Sequence, residues 1–166
     1  GIQEAIEAGN QIAHLTIDEI HTSTLVRAQM TAFLAMSNHS SGKVPVLIHP
    51  LDTKEGKWGK YASYLEKDMI HVYADFRLNE RMYGDLQGFN KEAMREKYGK
   101  ELVHIWSRSF DVAPPEGESI EDNAKRTLPY LEQQIVGSLK KGNNVLVSAH
   151  GKYLRESKVI SESLKS

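Results

Sequence analysis

Asn144-Val145-Leu146-Val147-Ser148-Ala149-His150-Gly151 is the stretch that decides the fold. Val145, Leu146 and Val147 form a short continuous apolar run, the pattern of a strand buried on both faces. Lys140-Lys141-Gly142 precedes it as a helix stop, with cations at the helix end and a glycine beyond. Further upstream, Ile120, Ala124, Leu128, Leu131 and Ile135 repeat at spacings of three and four, an amphipathic helix. Ser119 offers its cap, with Asp122 where a capping box prefers Glu or Gln, so the box is imperfect. Pro129 interrupts the stripe and predicts a kink or the start of a new turn.

The same alternation continues toward the N-terminus. Ile2, Ala5, Ile6, Ile12 and Ala13 have helical spacing. Residues 17–21 read as a strand, and Thr22-Ser23-Thr24 as the N-cap of a helix carrying Leu25, Ala28, Ala32, Phe33 and Met36. Residues 44–48 suit a strand that Pro45 demotes to an edge, residues 50–60 a loop, and residues 70–76 another strand. An irregular polar loop follows over residues 78–88. Asn90 then caps a helix to Tyr98, which Gly99 terminates. Alternating strands and helices predict a three-layer α/β/α sandwich around a mainly parallel sheet. There is no internal repeat and no low-complexity tract.

Composition narrows the function classes. A chain of 166 residues with 26% charged and 40% hydrophobic residues has an ordinary soluble balance. Its net charge of -1 gives no bulk attraction to nucleic acid, so any positive charge for an anionic ligand must be concentrated in one site. The absence of cysteine excludes a disulfide scaffold, a thiolate nucleophile and a cysteine-based zinc site. No apolar run approaches the roughly 20 residues that span a bilayer. The opening residues do not resemble a signal peptide, and a cytoplasmic protein without a membrane partner is expected.

His150 ends the buried run, and in open α/β sheets ligands gather beyond the carboxyl ends of strands. Gly151 lets backbone approach such a ligand closely. A histidine that merely ends a strand at the surface would occupy the same position. Thr22-Ser23-Thr24-Leu25-Val26-Arg27 places hydroxyls, amides and a guanidinium at a helix start, an anion site or simply a capped helix. Arg77-Leu78-Asn79-Glu80-Arg81-Met82-Tyr83-Gly84 packs two arginines, a carboxylate, an amide and a phenol together. That density suits a phosphate site with an acid–base carboxylate, with a solvated charged loop as its rival.

The run from Arg77 through Gly84-Asp85-Leu86-Gln87-Gly88-Phe89-Asn90-Lys91 closely resembles the central signature of cofactor-dependent phosphoglycerate mutases, in the histidine phosphatase superfamily. The order of the other motifs agrees: Thr22 to Ala28 upstream, then Trp106-Ser107-Arg108-Ser109-Phe110-Asp111-Val112, Pro114-Pro115, Gly117-Glu118-Ser119-Ile120 and Ser148-Ala149-His150-Gly151. The resemblance runs from Gly1 to about Gly151, interrupted over roughly residues 38–68, where extra residues are expected, those near 44–68 as a surface loop or an interface element.

The resemblance implies the histidine-phosphatase fold and transfer of a phosphoryl group between the 3- and 2-positions of phosphoglycerate, in glycolysis and gluconeogenesis. A phosphohistidine is the implied intermediate, primed by 2,3-bisphosphoglycerate without a metal. His150 resembles the second catalytic histidine, which stabilises the transferring group, and Glu80 the carboxylate that exchanges a proton with the substrate hydroxyl. Arg27 matches a phosphate ligand, and Ser23, Arg81, Tyr83, Lys91, Arg108 and Gly151 match substrate-binding positions. Phosphoglycerates are the implied partners, and family members are often homo-oligomers.

Three departures stand out. The Arg-His-Gly-Glu strand end that supplies the nucleophilic histidine is not among these residues, and none of His14, His21, His39, His49, His71 and His104 sits in that motif. Gly1-Ile2-Gln3-Glu4-Ala5 resembles the helix after it, which places the motif about 20–30 residues upstream. After His150, Lys152-Tyr153-Leu154-Arg155-Glu156-Ser157-Lys158 resembles the family's far C-terminal tail, so a segment is expected between them. The expected organisation is one phosphoglycerate mutase-like domain over residues 1–166, completed by those two pieces. Third, Ser107 stands where the family has the first of two arginines, a loss of about 1.5–3 kcal/mol for a charge-assisted bond. A related histidine phosphatase, a bisphosphoglycerate mutase, or a non-catalytic phosphoglycerate-binding paralogue are the alternative readings.

Overall fold

Strand β1 (Glu19–Thr22) is the centre of a four-stranded parallel sheet, in the order β2 (Val44–Ile48), β3 (Met69–Ala74), β1, β4 (Val145–Ser148). The computed structural model describes residues 1–151, which divide into two units: residues 1–79 with 130–150, and residues 80–129 with Gly151. The sheet belongs to the first.

Alternation along β1 splits the sheet into two unlike faces. Ile20 points to one side, where with Ile70, Val72, Ile17, Ala32 and Met36 it forms the apolar core, joined by Ile12, Phe33, Leu47 and Leu146. Helix α2 (Val26–Met36) covers this face, and helix α1 (Ile2–Ile12) packs on α2. Their contact needs Gly9, since a Cβ there would lie 2.2 Å from the Ala35 carbonyl oxygen. His21 points to the other side. It lies 5.2 Å from the Tyr73 ring centroid, with Nδ1 2.6 Å from the Tyr130 hydroxyl and Nε2 3.0 Å from Glu19 Oε1. On the same face, Tyr61 donates to Glu66 at 2.7 Å and lies 2.9 Å from His71 Nε2. Burial pushes the Tyr73 phenol up from its ordinary range, and the nearby Glu19 and Glu66 carboxylates add to this.

Several expectations hold and several shift. Pro45 does sit in an edge strand, β2. The segment over residues 44–68 is not the surface loop or interface element expected: it supplies that strand of the sheet, a helix α3 (Lys54–Trp58) and a 3₁₀ segment, Ser63–Asp68. A loop was expected over residues 50–60; instead Thr53 caps α3, its hydroxyl accepting from the Gly56 amide at 3.0 Å. The run 145–147 is only half-buried, not buried on both faces, because among the described residues β4 pairs with β1 alone and forms the other edge.

In the second unit, α4 (Lys91–Tyr98) starts where Asn90 Oδ1 accepts from the Ala93 amide at 2.7 Å, and ends at Gly99, φ 84°. A second helix, α5 (Lys100–Arg108), follows at once. The Ser119 box is complete despite its Asp. Ser119 Oγ accepts from the Asp122 amide at 3.0 Å, and Asp122 Oδ2 accepts from the Ser119 amide at 3.0 Å. Helix α6 (Ile120–Tyr130) runs through Pro129 and passes into a π-helical turn, Leu131–Val136, before α7 (Gly137–Lys140). Proline cannot supply the amide that a regular turn needs, so the interruption predicted there takes this wider form. Residues 152–158, expected to resemble a C-terminal tail, lie outside the described residues.

Candidate active site

Register brings the first group of expected residues together. Thr22 lies opposite both Ala74 and Ser148, so β1, β3 and β4 end level and the residues that follow them emerge at one edge. Thr22 Oγ1 donates to the Ser148 carbonyl at 2.8 Å, and the Asp75 amide donates to the Thr22 carbonyl at 3.0 Å, which fixes that alignment. Ser23 and His150 leave the sheet here, both buried, with His150 Nε2 2.9 Å from Ser23 Oγ. The hydroxyl can donate to a neutral ring nitrogen or accept from a protonated one.

The cap differs from expectation. Leu25, not the Thr22–Thr24 triplet, is the N-cap of α2, and it makes no side-chain cap bond. The hydroxyls are engaged elsewhere. Ser23 Oγ accepts from the Leu25 amide at 3.2 Å beside His150, while Thr24 donates through its amide and hydroxyl to Asn79 Oδ1 at 2.8 and 2.9 Å. Arg27 is exposed on the first turn of α2, and Gly151 is exposed directly after His150. Asn79 was not singled out as a site residue, though it lies inside the recognised motif.

The second group lies in residues 80–129. Glu80, Tyr83, Lys91 and Arg108 line a cavity of about 730 Å³, together with Phe89, Trp106 and Ser107. Arg81 is the decisive residue. It is 3% exposed, and none of its three guanidinium nitrogens has a hydrogen-bond partner among the described residues. Its guanidinium lies 4.9 Å over the Tyr83 ring. An aromatic face offsets only a small part of the cost of burying a cation, several kcal/mol in effective terms, so such a group calls for an anion. Arg81 is not among the residues lining the cavity; with Lys91 and Arg108 in the same unit it makes a set of cationic donors suited to anions.

Two residues hold this stretch in place without having been foreseen. Arg126 donates to Glu118 through Nε at 2.7 Å and Nη2 at 2.8 Å, and through Nη2 to the Glu80 carbonyl at 3.4 Å. Glu118 Oε2 accepts from the Met82 amide at 2.9 Å, and the Glu118 amide donates to the Met82 carbonyl at 2.8 Å. Burial would raise the Glu118 carboxyl, but hydrogen bonds from Arg126 and Met82, with the guanidinium charge, hold it below its ordinary range. Gly84 completes the clamp. Its φ is +57°, and a Cβ there would stand 2.0 Å from the Pro115 carbonyl oxygen. Ser107 turns its hydroxyl to the Val103 carbonyl at 2.6 Å, within its own helix. Among the described residues, no three His, Asp or Glu side chains are grouped to hold a metal ion.

The chain matches the histidine phosphatase superfamily (branch 1) over residues 61–157. It is 56% identical over 156 residues to the 2,3-bisphosphoglycerate-dependent phosphoglycerate mutase of Protochlamydia amoebophila, covering 93% of this chain and 69% of that protein. The chain belongs to the phosphoglycerate mutase family of that superfamily. The mutase of Chlamydia pneumoniae is 51% identical, with 93% of this chain and 68% of that one covered. An Arabidopsis thaliana mutase is 47% identical over 93% of this chain but only 47% of its own length. Among solved structures, YhfR of Bacillus stearothermophilus shares the fold at TM-score 0.70 and 24% identity, over 98% of this chain and 65% of that one. A mycobacterial glucosyl-3-phosphoglycerate phosphatase with inorganic phosphate does so at TM-score 0.66 and 20% identity, over 93% and 63%. The chain thus spans under two thirds of these solved chains, and about half of the Arabidopsis mutase. Parallel strands with helices on the sheet, in a phosphoglycerate mutase-family chain, agree with the α/β fold read from the sequence.

Proposed function

We propose that the whole protein interconverts 3-phosphoglycerate and 2-phosphoglycerate by phosphoryl transfer, with 2,3-bisphosphoglycerate as its priming cofactor, as a cytoplasmic step of glycolysis and gluconeogenesis. Membership of the mutase family supports this reading, and one observation carries it at the site: the buried guanidinium of Arg81, which has no hydrogen-bond partner among the described residues. When bound, 2,3-bisphosphoglycerate supplies the phosphoryl group that primes the enzyme.

The residues divide the work by their chemistry. Arg81, Lys91 and Arg108 bind the carboxylate and phosphate of the substrate, and Tyr83 donates its hydroxyl and keeps the Arg81 plane in place. Glu80 exchanges a proton with the substrate hydroxyl, its backbone held by Arg126. His150, oriented by Ser23, stabilises negative charge on the transferring oxygens, aided by Arg27 and by close backbone approach at Gly151. The acceptor in the whole protein is the histidine of the family's Arg-His-Gly-Glu strand end, a motif outside residues 1–166.

Mutase and phosphatase turnover of the full-length protein, with and without 2,3-bisphosphoglycerate, tests the proposal. The expected result is cofactor-stimulated mutase activity that Glu80→Gln lowers about 10²–10⁴-fold. Hydrolysis of phosphoglycerate in excess of isomerisation would replace the mutase by a phosphatase. Tight phosphoglycerate binding with no turnover would replace it by a binding paralogue, the reading that Ser107 favours.

A further inference from the structure

The helices α4 and α5 carry more positive charge than the substrate contacts account for. Lys91 and Arg95 stand four residues apart on α4, and Lys100, His104 and Arg108 stand four apart on α5. All five line a single cavity of about 830 Å³. Side chains at i and i+4 share a helix face, so the spacing forms two adjoining cationic rows. That cavity shares Lys91, Val103, Ser107 and Arg108 with the 730 Å³ cavity, so the two meet along a common wall.

Folding accounts for only part of this arrangement: Arg95 and Arg108 lie in the last turns of α4 and α5, where the helix dipole favours a cation. Like charges four apart on a helix repel, and Lys100 opens α5, where the positive end of the helix dipole disfavours a cation. No ion pair forms at Lys91, Arg95, Lys100 or Arg108 among the described residues. Four fixed cations face one carboxylate in the lining, Glu101, although the whole chain has a net charge of -1. Glu92 and Glu96 are exposed on α4 and do not line the cavity. Lys91 and Arg108 belong to the substrate site proposed above; Arg95, Lys100 and His104 have no part in it.

We propose that Arg95, Lys100 and His104 form an outer anion subsite that captures multiply charged phosphate compounds and passes them along the shared wall to Lys91 and Arg108. The role rests on the mutase reading, because the ligand delivered is the phosphoglycerate or bisphosphoglycerate of that site. A cationic groove beside a reacting site raises the local concentration of an anionic ligand and its rate of capture, and salt screens it. Arg95 and Lys100 are exposed, so neither is needed to fill the core.

The test uses the full-length protein, its R95E/K100E variant and the charge-neutral R95Q/K100Q variant, with folding checked by circular dichroism. For each, kcat/KM is followed against ionic strength, and tripolyphosphate binding is measured by calorimetric titration, which needs no turnover. The expected result is a fall in kcat/KM of about tenfold at low salt for R95E/K100E, with kcat unchanged and a flatter salt dependence. R95Q/K100Q should fall between it and the parent, and tripolyphosphate affinity should drop in the same order. Unchanged salt dependence and unchanged tripolyphosphate affinity in both variants would overturn the subsite, as would a loss confined to kcat. If the parent protein shows no mutase activity, the mutase reading fails while the tripolyphosphate titration still decides the subsite.

Discussion

The two faces of the sheet use the same strands and opposite physics. Under α2, Ile20, Ile70 and Val72 are sealed from water, at 0, 1 and 0% exposure. Their stabilisation is burial of apolar area, which has no direction and accepts any neighbour of the right volume. One residue along, His21 and His71 depend on named partners at hydrogen-bond distance: Tyr130 and Glu19 for His21, and Tyr61, Glu66 and Tyr73 for His71. A polar face of this kind stabilises only while each group keeps its partner, and an orphaned group there is worse than an apolar one. One strand therefore carries two kinds of fragility, set by the parity of the position.

Substitutions at Ile20, at the Tyr130–His21 pair and at Asp75 probe that contrast, taken from the greatest loss to the least. Ile20→Ala should be the most damaging, costing about 2–5 kcal/mol through lost burial and the cavity left behind, read as a lower urea midpoint. Ile20→Val should recover most of it, because the apolar face counts volume. Tyr130→Phe keeps the ring but removes the hydroxyl 2.6 Å from His21 Nδ1, and should cost about 1–3 kcal/mol. Adding His21→Phe to it should restore part of the loss; two independent losses that simply add would sink the idea of a coupled polar pair. The least effect lies at the edge of the polar face, and it depends on pH. Burial would raise the Asp75 carboxyl, but hydrogen bonds from the Arg77 side chain and amide, with the guanidinium charge, hold it below its ordinary range. Because the folded value is the lower one, this group favours the native state above its ordinary value. The contribution fades as pH falls through the folded one. Thermal melts from about pH 6 down to about pH 3 should therefore show a shallower acid decline for Asp75→Asn than for the parent.

What could be read beforehand was local. The Asn90 cap and Gly99 stop of α4, the Ser119–Asp122 box and the edge position forced by Pro45 each sit in a few adjacent residues, and the structure has them all. The motif likewise gave part of the lining of the 730 Å³ cavity, since Glu80, Tyr83 and Lys91 fall in one run, although Arg81 between them does not line it. What escaped was made by distance along the chain. The hydroxyls of Ser23 and Thr24 look like a cap until His150 and Asn79 are brought to them from 127 and 55 residues away. Glu118 stands out only inside a short motif and Arg126 not at all; only the fold sets them against Met82 and Glu80. Helix α3 was missed because a five-residue helix with Gly56 at its centre and Gly59 just beyond its end has little periodic signal. The half-burial of β4 was misjudged because an apolar run states a preference and not which neighbours satisfy it.

The π turn at Leu131–Val136 changes how this part of the chain responds to a gain or loss of length. Removing one residue from a regular helix turns everything beyond it by about 100° and carries buried side chains to the wrong side. A π turn already holds one residue more than a regular turn can use. A one-residue deletion inside residues 131–136 can close it into ordinary α-helix, leaving Ser138 and the strand beyond on their present sides. The segment is thus a slack link in the chain, where length can vary by one without the sheet having to notice.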